Sequence, residues 1–250
     1  MWVWDTSSPQ ATVDFAGARG ITELYAAVPP HVASSPQLGQ LHELAAHAAG
    51  VGVRVDALGG DPTWIDNQTW VAESWLEPAL ASGLFTGVHV DLEPYTTRAW
   101  QTERATVVDK WLATLDGLRS SAGTTPLEAD IPFWLGEVPA NGSTLDREVM
   151  RRTAGVTVMA YRNTADGPDG TIALAAPAVR AGAALGCPVR IGQETRHLGR
   201  DPAQLKQTFF GRTRSWMEAE LAAVDRAFAA APTFAGLAIH DSVGYAAMAP

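Results

Sequence analysis

Eight short runs rich in β-branched and other apolar residues alternate along this chain with longer Ala- and Leu-rich runs. That alternation restricts the fold more than any single residue does. The predicted strands are Trp2–Asp5, Ile21–Val28, Val51–Leu58, Gly87–Glu93, Leu127–Trp134, Val156–Arg162, Val189–Glu194 and Leu237–Asp241. Helices are predicted over 36–49, 67–82, 97–121, 144–153, 172–185 and 202–230, with a short one near 11–18. In 202–230 the apolar positions Leu205, Phe209, Trp216, Leu221, Val224 and Phe228 roughly follow one helical stripe. Ser35-Pro36 and Asp201-Pro202 read as helix openings, and Gly50 and Gly186 as helix ends. Strands separated by helices pair in parallel, and eight such units in 250 residues predict an α/β fold, a single (β/α)8 TIM barrel. A doubly wound open sheet is the alternative, but it usually carries a Gly-rich phosphate loop after its first strand, which this chain lacks. No linker or low-complexity tract interrupts the pattern, so one domain over 1–250 is expected.

Composition narrows the partners. With 46% hydrophobic and 18% charged residues the chain has material for a sizeable core, which excludes a disordered reading. No stretch approaches the roughly 18 uncharged apolar residues of a membrane span. A net charge of -9 with scattered arginines argues against a nucleic-acid partner. No nucleic acid, no membrane and a monomeric state are therefore expected. MWVWDTSSPQ lacks a basic segment followed by an apolar one, so it reads as no signal peptide and a cytoplasmic protein. A secreted chain whose leader had been removed would read the same way. Only Lys110 and Lys206 are lysines, and the arginine and alanine bias suggests GC-rich, bacterial coding. Cys187 stands alone in an apolar context, so no internal disulfide forms and a buried inert thiol is expected. His31, His42, His47 and His197 carry no spacing signal and read as surface residues.

In such barrels the chemistry sits at the C-terminal ends of the strands. Polar residues collect there: Asp5, Asp56, the set His89, Asp91 and Glu93, Asp130, Tyr161 and Arg162, Glu194, and His240 with Asp241. The fourth run is the sharpest. Strand period 2 puts Val88, Val90 and Leu92 on one face and His89, Asp91 and Glu93 on the other. The apolar set must pack on helices, so the ionisable set points inward. Asp91 and Glu93, about 7 Å apart along a strand, repel each other. One of the two is expected to hold its proton more tightly, as a general acid near neutral pH requires. A structural polar layer satisfied by Arg54 or Tyr161 is the plainer reading of the same residues. Aromatic rings supply a substrate clue: Trp4, Trp64 and Trp134 lie at or just past strand ends, where flat apolar rings suit the faces of sugars. Trp70, Trp75, Trp111 and Trp216 fall in helices and read as core.

These residues resemble glycoside hydrolase family 18, the chitinase-like barrels. The family's fourth strand reads DxxDxDxE, ending in the general acid; Thr86, His89, Asp91 and Glu93 occupy the matching positions. Its third strand ends SxGG, against Ala57-Leu58-Gly59-Gly60 here, and its sixth carries Met-x-Tyr, against Met159-Ala160-Tyr161. Where the family places a tryptophan floor on its eighth strand, this chain has His240. The resemblance implies a hydrolase acting on a carbohydrate or glycoconjugate, with no cofactor and no metal. It implies Glu93 as general acid/base, supported by Asp91, with Asp91 and Tyr161 holding a 2-acetamido group. Asp5, His89, Asp130, Trp134, Arg162, His240 and Trp64 would line the substrate site.

Leu92-Glu93-Pro94 also resembles the clan A glycosidases, which place an acid/base Glu on the fourth strand and a nucleophilic Glu on the seventh; Glu194 is that second carboxylate. Retaining chemistry needs the two carboxyl groups about 5–5.5 Å apart. Glu194 also reads as an ordinary solvated charge at a loop end. Two other classes stay open: a non-catalytic barrel that binds a sugar or protein, and a divalent-metal hydrolase using His89, Asp91, Glu93, Glu194 and His240.

Overall fold

A computed structural model describes all 250 residues. The chain divides into two compact halves, Trp2–Ala129, and Asp130–Pro250 with Met1. The first carries β1 (Trp2–Val3), α1 (Pro9–Ala18), β2 (Glu23–Ala27), α2 (Leu38–Gly50), β3 (Arg54–Gly59), α3 (Gln68–Val71), α4 (Glu77–Ala81), β4 (Val88–Val90), α5 (Arg98–Thr102) and α6 (Arg104–Ala122). Strand β5 (Leu127–Pro132) straddles the division. The second half adds β6 (Pro139–Ala140), β7 (Ser143–Thr144), α7 (Leu145–Met150), β8 (Gly155–Met159), α8 (Thr171–Leu185), β9 (Val189–Glu194), α9 (Pro202–Leu205), α10 (Arg214–Phe228), β10 (Phe234–His240) and α11 (Ser242–Ala246). Eight parallel strands form one sheet in the order β1-β2-β3-β4-β5-β8-β9-β10, with helices between them. All eight predicted strands are present, and the architecture is the (β/α)8 barrel.

In the first half, the register decides which way the fourth strand faces. Gly59 pairs with Val90, and a Cβ on Gly59 would run into the rings of Trp75 and Trp64 beneath the helices. Val88, Val90 and Leu92 therefore share the helix-facing parity, and all three are buried. Trp75 anchors that layer, its Nε1 donating to the Val28 carbonyl at 3.0 Å. His89 takes the other parity. Its ring stacks on Tyr25 at 3.8 Å between centroids and meets the Trp2 ring edge-on at 5.8 Å.

The helices depart from expectation in ways with local causes. The single helix predicted over 202–230 is two. Asp201 and Gln204 form a capping box on α9, but Thr208 then bridges to Glu194, and Gly211 turns with a φ of +77°. Helix α10 starts only at Arg214, where Thr213 Oγ1 accepts from Trp216 N–H; its buried stripe is Met217, Leu221, Val224 and Phe228. The helix predicted at Ser35-Pro36 begins at Leu38, because Ser35 spends its hydroxyl on the Gln37 N–H. Gly186 closes α8 in the left-handed region as expected. Gly50 instead ends α2 from within, and Gly52 makes the left-handed turn. The helix predicted over 97–121 breaks at Glu103, and the one over 67–82 contains a π turn at Ala72–Leu76. The β6–β7 hairpin and α11 have no counterpart in the sequence reading. Among the helical tryptophans Trp75 and Trp111 are core, Trp216 is half-buried and Trp70 is exposed. Cys187 is buried, and the four unassigned histidines are exposed.

Candidate active site

In the first half the site is built where β3 and β4 end. Gly60 lets the two backbones close: a Cβ there would drive into the carbonyl of Asp91. The Asp91 N–H donates to the Gly59 carbonyl at 3.0 Å, so Asp91 still follows the sheet although the regular strand stops at Val90. Glu93 leaves strand geometry and precedes a 3-10 turn at Pro94–Thr96. That turn brings the Tyr95 hydroxyl onto Glu93 Oε1, and the Glu93 carbonyl accepts from Thr96 Oγ1 at 2.7 Å. Tyr95 packs near Trp100 and Trp111, so the carboxylate is held by an anchored phenol. Both Asp91 and Glu93 are half-buried. Tyr95 escaped the sequence reading; its signal was Glu93-Pro94-Tyr95, in which proline favours a tight turn that folds residue i+2 back on residue i.

The other first-half candidates take different settings. His89 is fully buried in the Trp2–Tyr25 stack, with Nδ1 3.9 Å from Glu128 Oε2. Trp64 is buried against Trp75, 4.8 Å between centroids, because Gly59 leaves room for it under the helix layer. Asp5 is exposed, its Oδ1 capping the Ser7 N–H at 2.9 Å. Arg54 does not satisfy the fourth-strand carboxylates; it pairs with Glu23 at 2.7 Å.

A separate acidic layer lies deeper in this half. Asp56 is buried beside Glu23 and Glu128, around a cavity of about 100 Å³ that Arg54 and Thr86 also line. Burial pushes the Asp56 carboxyl up to about 6. The Thr86 hydroxyl, donating at 2.7 Å, opposes the rise, Glu23 and Glu128 add to it, and His89 opposes it. No Cβ fits at Gly87, 2.8 Å from that carboxyl group.

The second half presents a different assembly where β9 and β10 end. Glu194 is not a solvated loop-end charge. It is buried, and Oε1 accepts the N–H groups of Thr195 at 2.7 Å and Arg196 at 2.6 Å. Its Oε2 meets His240 Nδ1 at 2.8 Å. Burial disfavours protonation of His240, but the bond to Glu194 and the charges of Glu194, Asp241 and Asp130 outweigh it and raise the imidazole pKa. Arg196 grips the buried Asp241 with Nε at 2.7 Å and Nη2 at 3.0 Å. The Thr195 N–H and Oγ1 both donate to the His240 carbonyl. Gly244 leaves no space for a Cβ against Thr195. Arg196 and Asp241 are 45 residues apart, and nothing in their sequence surroundings announces the pair.

Tyr161, half-buried after β8, lies 6.4 Å from the His240 ring centroid at a tilt of 33°. Asp130 is buried, and Trp134 is half-buried in the turn after β5. Arg162 is engaged within the chain. Its Nε and Nη2 bond Asp169 Oδ1 at 3.0 and 2.8 Å, Nη1 donates to the Tyr161 carbonyl, and its guanidinium covers Phe133. These bonds tie it to the loop after β8. Arg162 and Lys206 hold the Asp169 carboxyl at about 2.

No protein-family model matches the chain, and no curated protein matches it. Solved structures do. A class V chitinase from Nicotiana tobaccum aligns with a TM-score of 0.54 at 14% identity, over 78% of this chain and 65% of that one. A GH113 β-1,4-mannanase aligns with a TM-score of 0.59 at 12% identity, over 98% and 87%. The spore cortex-lytic enzyme SleL of Bacillus megaterium gives 0.56 at 14% identity, over 90% and 57%. The fold is that of the (β/α)8 glycosidases. This chain spans less than two thirds of the tobacco chitinase.

Proposed function

We propose that this protein is a glycoside hydrolase acting on a carbohydrate or glycoconjugate, with Glu93 as general acid/base and Asp91 as its electrostatic support. The observation that carries this reading is the end of β4. There Asp91 and Glu93 are both half-buried, with the Tyr95 hydroxyl holding the Glu93 carboxyl group. In the first step Glu93 gives its proton to the glycosidic oxygen as the C–O bond breaks. The resulting carboxylate then takes a proton from the attacking water. A 2-acetamido group, if present, would supply the internal nucleophile, and Asp91 would favour the positive charge that develops on it. The tobacco chitinase, crystallised with NAG4, gives the reading a precedent on this fold.

Glu194 fits a positioning role better than that of a nucleophile. One oxygen already accepts two backbone N–H groups and the other meets His240, which restrains the carboxylate's movement. Together with Tyr161, Asp130 and Trp134 it is proposed to shape the substrate-binding part of the second half.

The test is a panel of aryl glycosides with and without a 2-acetamido group. Glu93→Gln and Asp91→Asn should each lower kcat by about a hundredfold or more, the lower end for a lost acid/base. Tyr95→Phe should cost less than either. Glu194→Ala should also cost less, azide should yield no glycosyl azide, and chelators should change nothing. Full activity in Glu93→Gln would end the assignment of Glu93 as acid/base, and a parent that hydrolyses no member of the panel would end the hydrolase reading in favour of a sugar-binding barrel.

A further inference from the structure

A cavity of about 550 Å³ opens within the second half, between the loop that follows β9 and the segment around α11. That volume lies in the range of small-molecule sites. Its walls mix two kinds of side chain. Phe210 and Val243 stand 54% and 39% exposed, the Met248 side chain backs them, and the His197 ring meets Phe210 edge-on at 4.9 Å. Isolated exposed apolar residues are ordinary, but two that line one cavity form a patch that a ligand would cover.

The second kind is cationic. Arg212 lies with its guanidinium carbon 4.2 Å from the centroid of the Trp216 ring and forms no ion pair. That contact occupies none of its N–H donors, which can therefore recognise a carboxylate in bidentate fashion. The neighbouring charges are already spent. Arg196 is clamped on Asp241, and Asp241 also accepts the Gly244 N–H, which caps α11. Of the two arginines that line the cavity, Arg212 is the one without an acid partner.

We propose that this cavity is a second ligand site, for a small organic anion with a flat apolar body. The carboxylate pairs with Arg212, and the body lies between Phe210 and Val243. The site uses none of the groups assigned to acid/base chemistry, so it stands independently of the hydrolase reading.

The experiment is isothermal titration calorimetry of the full chain with three probes: 2-naphthoate, its uncharged amide, and inorganic phosphate. Naphthoate should bind. The amide should bind at least about tenfold more weakly, as expected when a charge-assisted hydrogen bond is lost. Phosphate should not displace naphthoate at equal concentration. Arg212→Gln should weaken naphthoate by a similar factor and leave the amide unchanged, whereas Phe210→Ala should weaken both. Both side chains are exposed, and circular dichroism confirms that the variants fold. Glu93→Gln should bind naphthoate like the parent, which separates failure here from failure of the hydrolase proposal. No binding of naphthoate, equal binding of acid and amide, displacement by phosphate, or an indifferent Arg212→Gln would each overturn the assignment.

Discussion

Replacing Asp56 by asparagine should stabilise the protein, and by an amount that depends on pH. The carboxyl group is buried beside Glu23 and Glu128, and its pKa rises from 3.8 to about 6 on folding. A raised acid favours the protonated form in the native state. Well below the unfolded value of 3.8 the group is protonated whether the chain is folded or not, and its linkage contribution is nil. As pH climbs the unfolded chain ionises first, and stability falls until the folded pKa is passed. Above about pH 6 the full penalty is present, about 3 kcal/mol at about 1.36 kcal/mol per pH unit. Asparagine keeps the shape and still accepts from the Thr86 hydroxyl through Oδ1, so little else is lost. Urea unfolding of parent and Asp56→Asn at pH 4, 5, 6 and 7.5 is the assay. The difference should be about 0.5 kcal/mol at pH 4 and grow to about 3 kcal/mol in favour of the variant at pH 7.5, or about 6–12 °C in Tm for a chain of this size. A difference that is the same at pH 4 and pH 7.5, or a variant less stable than the parent at pH 7.5, would refute the reasoning.

Two further outcomes test the geometry. His240 has a raised pKa that depends on Glu194, so the stability this pair supplies is present below about pH 6.5 and is lost as pH rises through the folded pKa. In Glu194→Gln only the charges of Asp241 and Asp130 still oppose burial, and the His240 proton resonance should titrate at lower pH by NMR; an unmoved titration would sink the pairing. Gly60→Ala forces a methyl group into the Asp91 backbone and should cost about 1–3 kcal/mol or more in chemical denaturation. Gly39→Ala, on open space within α2, should instead gain about 0.5–1 kcal/mol. Equal effects at the two glycines would mean that β3 and β4 do not approach as described.

The sequence by itself determined the alternation of eight strands with helices and the parity of the fourth strand. Both are properties of period: side chains alternate along a strand, and an apolar set at Val88, Val90 and Leu92 admits only one packing against helices. The placement of Asp91 and Glu93 at a strand end follows from the same count. Tertiary structure alone decided what each polar residue does there. His89, Trp64 and Arg162 have the chemistry of ligand-binding groups, and the Tyr25 stack, the Gly59 gap and the distant Asp169 set where each of them lies. Glu194 read equally well as a nucleophile or a solvated charge until His240, 46 residues away, closed on it. The same holds for Arg212, whose partner is the ring of Trp216 and whose setting is a loop that the helical stripe of 202–230 concealed. Periodicity is local and survives in one dimension. Burial and pairing depend on which distant side chain arrives first, and only the folded chain records that.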